Sequence, residues 1–140
     1  MIKKILIIFS INILLPNALF AKSKFFQEGV NLFNKNKLED AKFKFEQDIV
    51  YNPKNELSYL YLSKIFNKKD KSELEEQNLK TVMLLNPKNE EAIYNLAKLK
   101  LSSSDYKRSK ELNEKLKSVC INLCNQSSKL AIEIINLSKK

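Results

Sequence analysis

The string Asn52-Pro53-Lys54-Asn55-Glu56 recurs verbatim as Asn86-Pro87-Lys88-Asn89-Glu90, 34 residues further along. A fixed period of this length marks stacked units, each burying one face against its neighbour because none can close a core alone. Each copy of the string reads as the end of one helix and the start of the next. Proline lacks an N–H and disfavours helix in the residue before it, so Asn52 and Asn86 are stop points. Asn55 and Asn89 then serve as N-caps, and Glu56, Glu90 and Glu91 sit at a helix's positive end.

Composition agrees with helices and excludes much else. Gly29 is the only glycine in 140 residues, and tight β-turns lean on glycine, so a many-stranded sheet is excluded. With 44% hydrophobic and 29% charged residues the chain is globular, and its length suits one domain. The absence of histidine removes the commonest general base and the commonest metal ligand. One glycine cannot build a phosphate-cradling loop, and two cysteines alone cannot complete a tetrahedral zinc site. No cofactor and no metal are expected. The net charge of +9 is almost all lysine, Arg108 being the sole arginine, and reads as a solvated surface.

Residues 1–21 differ from everything after them. Lys3 and Lys4 precede an apolar run, residues 5–15, broken only by Ser10 and Asn12. Pro16 and Asn17 end any helix, and Ala18-Leu19-Phe20-Ala21 offers a processing site. This is the three-part layout of a secretory signal peptide. The run of 11 residues falls short of the ~20 that a spanning helix needs. Residues 1–21 are therefore expected to be removed, leaving an exported, periplasmic chain with no stable membrane insertion; the alternative is an uncleaved inner-membrane anchor. An exported protein meets little nucleic acid, so none is expected as a partner.

Within the mature chain the spacing resembles the tetratricopeptide repeat. That motif sets a large, a small and an aromatic residue on a first helix, a small and an aromatic residue on a second, and a closing proline. Residues 22–55 supply Phe25, Gly29, Leu32, Ala41, Phe45 and Pro53 at those spacings. Residues 56–89 supply Tyr59, Ser63, Phe66, Leu79 and Pro87, with Glu75 standing where a small residue is usual. Residues 90–121 supply Ile93, Ala97, a Ser104-Asp105-Tyr106 link, Ser109 and Leu116, with Ile121 in the place of the closing proline. Residues 122–140 follow as a C-terminal capping helix carrying Leu130, Ile132, Ile134, Ile135 and Leu137. The resemblance implies an all-α, right-handed superhelical stack of three helix pairs plus that cap. Apolar stripes at helical spacing, such as Ala41, Phe45 and Ile49 or Leu62, Ile65 and Phe66, point the same way.

The resemblance also implies a concave groove lined by first helices. Its positions here are Phe26, Val30 and Phe33, then Leu60, Lys64 and Asn67, then Tyr94, Asn95, Lys98 and Leu101. The expected function is a protein-binding adaptor of the bacterial envelope, not an enzyme, holding a protein or peptide partner with apolar anchors and an acidic side chain. Some relatives clamp acidic chaperone C-termini with lysines, asparagines and an arginine. Phe26, Val30, Tyr61, Glu91 and Asn95 occupy those places, and only Asn95 agrees, so that ligand is excluded. Cys120 and Cys124 are a disulfide candidate in an oxidising compartment, awkward within regular helix and easier if the helix breaks near Asn122. The alternative function is a thiol-, metal-handling or other enzymatic role through that pair. Mass spectrometry of the native protein should find its N-terminus at Lys22 or within a few residues; a chain retaining Met1 and sedimenting with membranes would be anchored instead.

Overall fold

A computed structural model describes residues 23–139, so the export segment expected at residues 1–21 lies outside the described residues. Among the described residues seven helices follow one another: α1 (Lys24–Asn34), α2 (Leu38–Tyr51), α3 (Glu56–Lys68), α4 (Ser72–Leu85), α5 (Glu90–Ser102), α6 (Tyr106–Val119) and α7 (Cys124–Leu137). No strand occurs among the described residues. The helices pair as α1 with α2, α3 with α4 and α5 with α6, and each pair packs on the next. The result is an all-α tetratricopeptide-like stack, as the 34-residue period predicts.

Local chemistry sets the boundaries. Ser23, Asn55, Asn89 and Asp105 cap α1, α3, α5 and α6, each side chain accepting a hydrogen bond from a first-turn N–H. Within each pair the first helix ends on a left-handed residue: Asn36 (φ 57°), Asp70 (φ 54°) and Ser104 (φ 62°), 34 residues apart. Behind each, the next N–H returns to the helix, as Lys37 to Leu32, Lys71 to Phe66 and Asp105 to Lys100. These are Schellman-type ends made without glycine, tolerated because short polar side chains carry the left-handed conformation at modest cost.

The one glycine acts elsewhere. A Cβ built on Gly29 would lie 2.7 Å from the Phe45 ring, so α1 and α2 approach over bare backbone. Ser63 and Ala97 hold the same register in α3 and α5, both buried. On the second helices, Ala41 and Ser109 are fully buried opposite, and Ser109 Oγ donates to the Ala97 carbonyl at 2.8 Å. Two apolar clusters fill the stack. One joins Phe26, Ala41, Phe45, Leu62, Ile65 and Phe66, and the other runs from Leu60 and Leu79 through Ile93 and Leu96 to Leu116, Leu130 and Ile134.

Carboxylates lock the junctions between pairs. Asp48, buried in α2, accepts from Ser23, Ser58, Asn52 (3.1 Å) and Asn55 (2.6 Å), so one side chain ties the caps of α1 and α3. Glu56 accepts from Asn86 (2.8 Å) and Asn89 (3.2 Å). Glu90, one period on, accepts from the backbone N–H groups of Ile121 (2.9 Å), Asn122 (3.0 Å) and Leu123 (2.7 Å). A proline at 121 would lack the first of these donors, which accounts for isoleucine in the repeat's closing position.

The tail keeps the register. α7 starts 34 residues after α5, and Leu130 is buried as Leu62 and Leu96 are. It stands where the first helix of a fourth unit would. Its link to α6 carries the Cys120–Cys124 disulfide, with Cα atoms 5.3 Å apart. α6 ends at Val119 and Cys120 is extended, so the bond spans a helix break at the place where the spacing needs one.

Two outcomes follow. Gly29→Leu should cost about 1–3 kcal/mol in denaturant unfolding, since the side chain must displace the Phe45 ring. Burial pushes the Asp48 carboxyl up, but hydrogen bonds from Ser23, Ser58, Asn55 and Asn52 outweigh it and hold its pKa below the ordinary aspartate value. Its folded pKa is thus the lower one, so its contribution is present above the unfolded value near 4 and is lost as pH falls through the folded value. Asp48→Asn should therefore destabilise by about 1–3 kcal/mol at pH 7, and the gap from the parent should narrow in urea melts at pH 3.

Candidate functional site

The first helices α1, α3 and α5 share one side of the stack, and two neighbouring cavities open there. One, of about 430 Å³, is lined by Phe33 of α1, Asn67 and Lys68 of α3, Glu75 of α4, and Asn95 and Lys98 of α5, among others. The second, of about 540 Å³, lies toward the other helix ends between Leu57, Leu60, Tyr94, Leu123 and Gln126. Glu91 and Asn95 line both, so the two form one groove running from α1 to α7.

Lysines lie over aromatic rings in and beside it. Lys68 Nζ lies 5.6 Å from the Phe33 ring centroid, Lys64 Nζ 4.9 Å from that of Tyr61, and Lys98 Nζ 5.8 Å from that of Tyr94. Lys64 also pairs with Glu91 at 2.8 Å, joining α3 to α5 across the groove floor. Each ring provides an apolar face beside a cation, a surface suited to amphipathic side chains.

Of the groove residues expected from sequence, Phe33, Lys64, Asn67, Asn95 and Lys98 meet in the first cavity, and Leu60, Tyr94 and Asn95 in the second. Val30 is half-buried against the first apolar cluster. Burial corrects two expectations. Phe26 is 2% exposed and Leu101 6%, and neither lines one of these two cavities, so these side chains are core rather than open surface; Leu60, 4% exposed, is largely core but still borders the second cavity. Phe26 packs on Phe45 and Tyr61, with ring centroids 5.8 Å away in each case. Leu101 shares a register with Asn67, but it belongs to the second apolar cluster where Asn67 meets the carboxylate of α4.

Sequence reasoning missed Lys68, Glu91 as the partner of Lys64, and Glu75 as part of the groove. Glu75 was visible only as a departure from the small residue usual at its place. The helices still approach there because its carboxylate turns along the pair to Asn67, whose Nδ2 lies 3.1 Å from both oxygens. Burial pushes its pKa up, against the opposing hydrogen bond from Asn67. Both cysteines are consumed in the disulfide, and the described residues hold no group of three or more histidines, cysteines or acids placed to bind a metal.

No protein-family model matches the sequence, and no curated protein matches it significantly. Solved structures do match. The TPR2B domain of yeast Sti1 in its pHsp70 complex superposes with a TM-score of 0.74 at 13% identity, covering 82% of this chain and 99% of that one. The type III secretion chaperone SycD of Yersinia enterocolitica, in complex with a peptide of the translocator YopD, gives 0.73 at 15% identity, covering 83% and 92%. The chain has the tetratricopeptide-repeat fold. The first tetratricopeptide-repeat domain of RPAP3 bound to an HSP90 peptide gives 0.68 at 13% identity, covering 79% of this chain and 90% of that one. The groove of this tetratricopeptide-repeat chain carries a buried acid in its wall and lysines laid over rings.

Proposed function

We propose that this chain is a protein-binding adaptor of the bacterial envelope that holds a segment of its partner in the groove of α1, α3 and α5. The observation that carries the reading is the groove's chemistry: partly exposed rings of Phe33 and Tyr94, lysines 68 and 98 outside the ion pairs of the described residues, and the amides of Asn67 and Asn95. Rings take apolar side chains, lysines take acidic ones, and amides suit a peptide backbone. Three structures with the same fold are complexes, with an HSP90 peptide, a peptide of YopD and pHsp70, which supports a segment of protein as the ligand class. The envelope location rests on the signal-like layout of residues 1–21. No helix among the described residues is long and apolar enough to cross a membrane.

The test is affinity capture with crosslinking from the envelope fraction of the native cell. Tyr94→Ala should weaken capture more than Lys98→Ala, with helical content preserved in both. An exposed charge contact is worth about 1 kcal/mol or less, whereas an aromatic anchor at an interface centre is worth about 2 kcal/mol or more. Undiminished capture by a Phe33→Ala, Tyr94→Ala double variant that still folds would move the site off this face.

A further inference from the structure

Glu75 is out of keeping with its surroundings. It is 5% exposed, and the matching positions of the other two pairs hold Ala41 and Ser109, small and fully buried. A buried carboxylate has about four lone-pair sites to satisfy, and a neighbouring cation is the usual compensation. Here the only hydrogen-bonding partner among the described residues is the Asn67 amide, shared by both oxygens, and no lysine stands within ion-pair distance. Lys64 is held by Glu91, and Lys68 Nζ lies over the Phe33 ring, 5.6 Å from its centroid. Burying a carboxylate with a single neutral partner costs stability. Yet the carboxylate lines the 430 Å³ cavity, beside Ser63, Asn67 and Lys68.

We infer that Glu75 is the anchor for a basic side chain of the bound segment, whose ammonium or guanidinium group enters the cavity between α3 and α4. This rests on the groove reading above and sharpens it. Around that anchor the rim is basic: Lys68 and Lys98 line the same cavity without an acidic partner among the described residues. A ligand that were only basic would be repelled by them, and one that were only acidic would leave Glu75 uncompensated. The segment that fits both is a lysine or arginine with an acidic residue close to it in sequence. A charge buried with its partner is also where discrimination is strongest, because the wrong ligand leaves it unpaired.

The test is selection of a random heptapeptide library on the purified protein, followed by titration calorimetry of one enriched peptide. Enriched peptides should carry lysine or arginine at one fixed position with aspartate or glutamate nearby. Glu75→Gln, close to isosteric, should weaken that peptide at least tenfold. Replacing its basic residue with methionine should do the same, and the two changes together should cost little more than either alone. Glu75→Ala should lose the same affinity with an unchanged or higher melting temperature, which separates loss of an anchor from loss of fold. Enriched peptides that bind in the groove, are lost in Tyr94→Ala, and show no basic position or no response to Glu75→Gln would overturn the anchor and leave the groove standing. No enriched peptides, or peptides indifferent to Tyr94→Ala, would overturn the groove reading itself.

Discussion

The stack depends on how closely the two helices of a pair approach. Where α1 crosses α2 there is no side chain at Gly29, and the Phe45 ring fills the space against backbone. Ser63 with Leu79 and Ala97 with Asn113 repeat the arrangement one and two periods on, every one of these side chains buried. Close approach buries enough apolar surface for a 34-residue unit to hold its shape against its neighbours. In the third pair the large apolar partner has become Asn113, which donates to the Ser127 carbonyl at 3.0 Å and accepts from Ser127 Oγ at 3.0 Å. The last pair thereby exchanges some hydrophobic contact for a polar tie to α7.

Given that spacing, junction chemistry decides how one pair follows another. Asp48, Glu56 and Glu90 each reach groups from the following junction, and each does so differently: a network of caps, a pair of asparagine amides, a run of backbone N–H groups. The third solution depends on Ile121 keeping its N–H, and the disulfide of Cys120 and Cys124 closes the same link. Where the proline of the repeat is lost, a carboxylate and a covalent bond hold the turn. Export to an oxidising compartment, the setting proposed for this chain, is where such a bond persists.

Function and stability pull apart in the groove. Rings, lysines and amides on α1, α3 and α5 are the exposed remainder of helices whose other faces are core, so the surface is as rigid as the stack beneath it. Glu75 is the exception, a group set into the pair interface itself where a small side chain would pack with less cost. Its presence couples the closeness of α3 and α4 to the chemistry of the cavity they border.

Helix number, pairing and order were legible in the sequence because they follow from local rules: proline stops, asparagine caps and apolar spacing act within a few residues of where they are written. The small residue at Gly29 was legible for the same reason, and a helix break near Asn122 was legible only as a condition that would ease a Cys120–Cys124 bridge. Which side chains of a first helix look into the groove was only partly so. Phe33, Leu60, Lys64, Asn95 and Lys98 were placed by register, while Phe26 and Leu101 turned inward, because the neighbouring helices that cover them are not written in the local spacing. The pairing of Lys64 with Glu91 and the turn of Glu75 toward Asn67 join residues on different helices or across a pair. No local rule records such contacts. They come into being only when the stack brings those faces together, and so the repeat belongs to the sequence and the charge pattern of the groove to the tertiary structure.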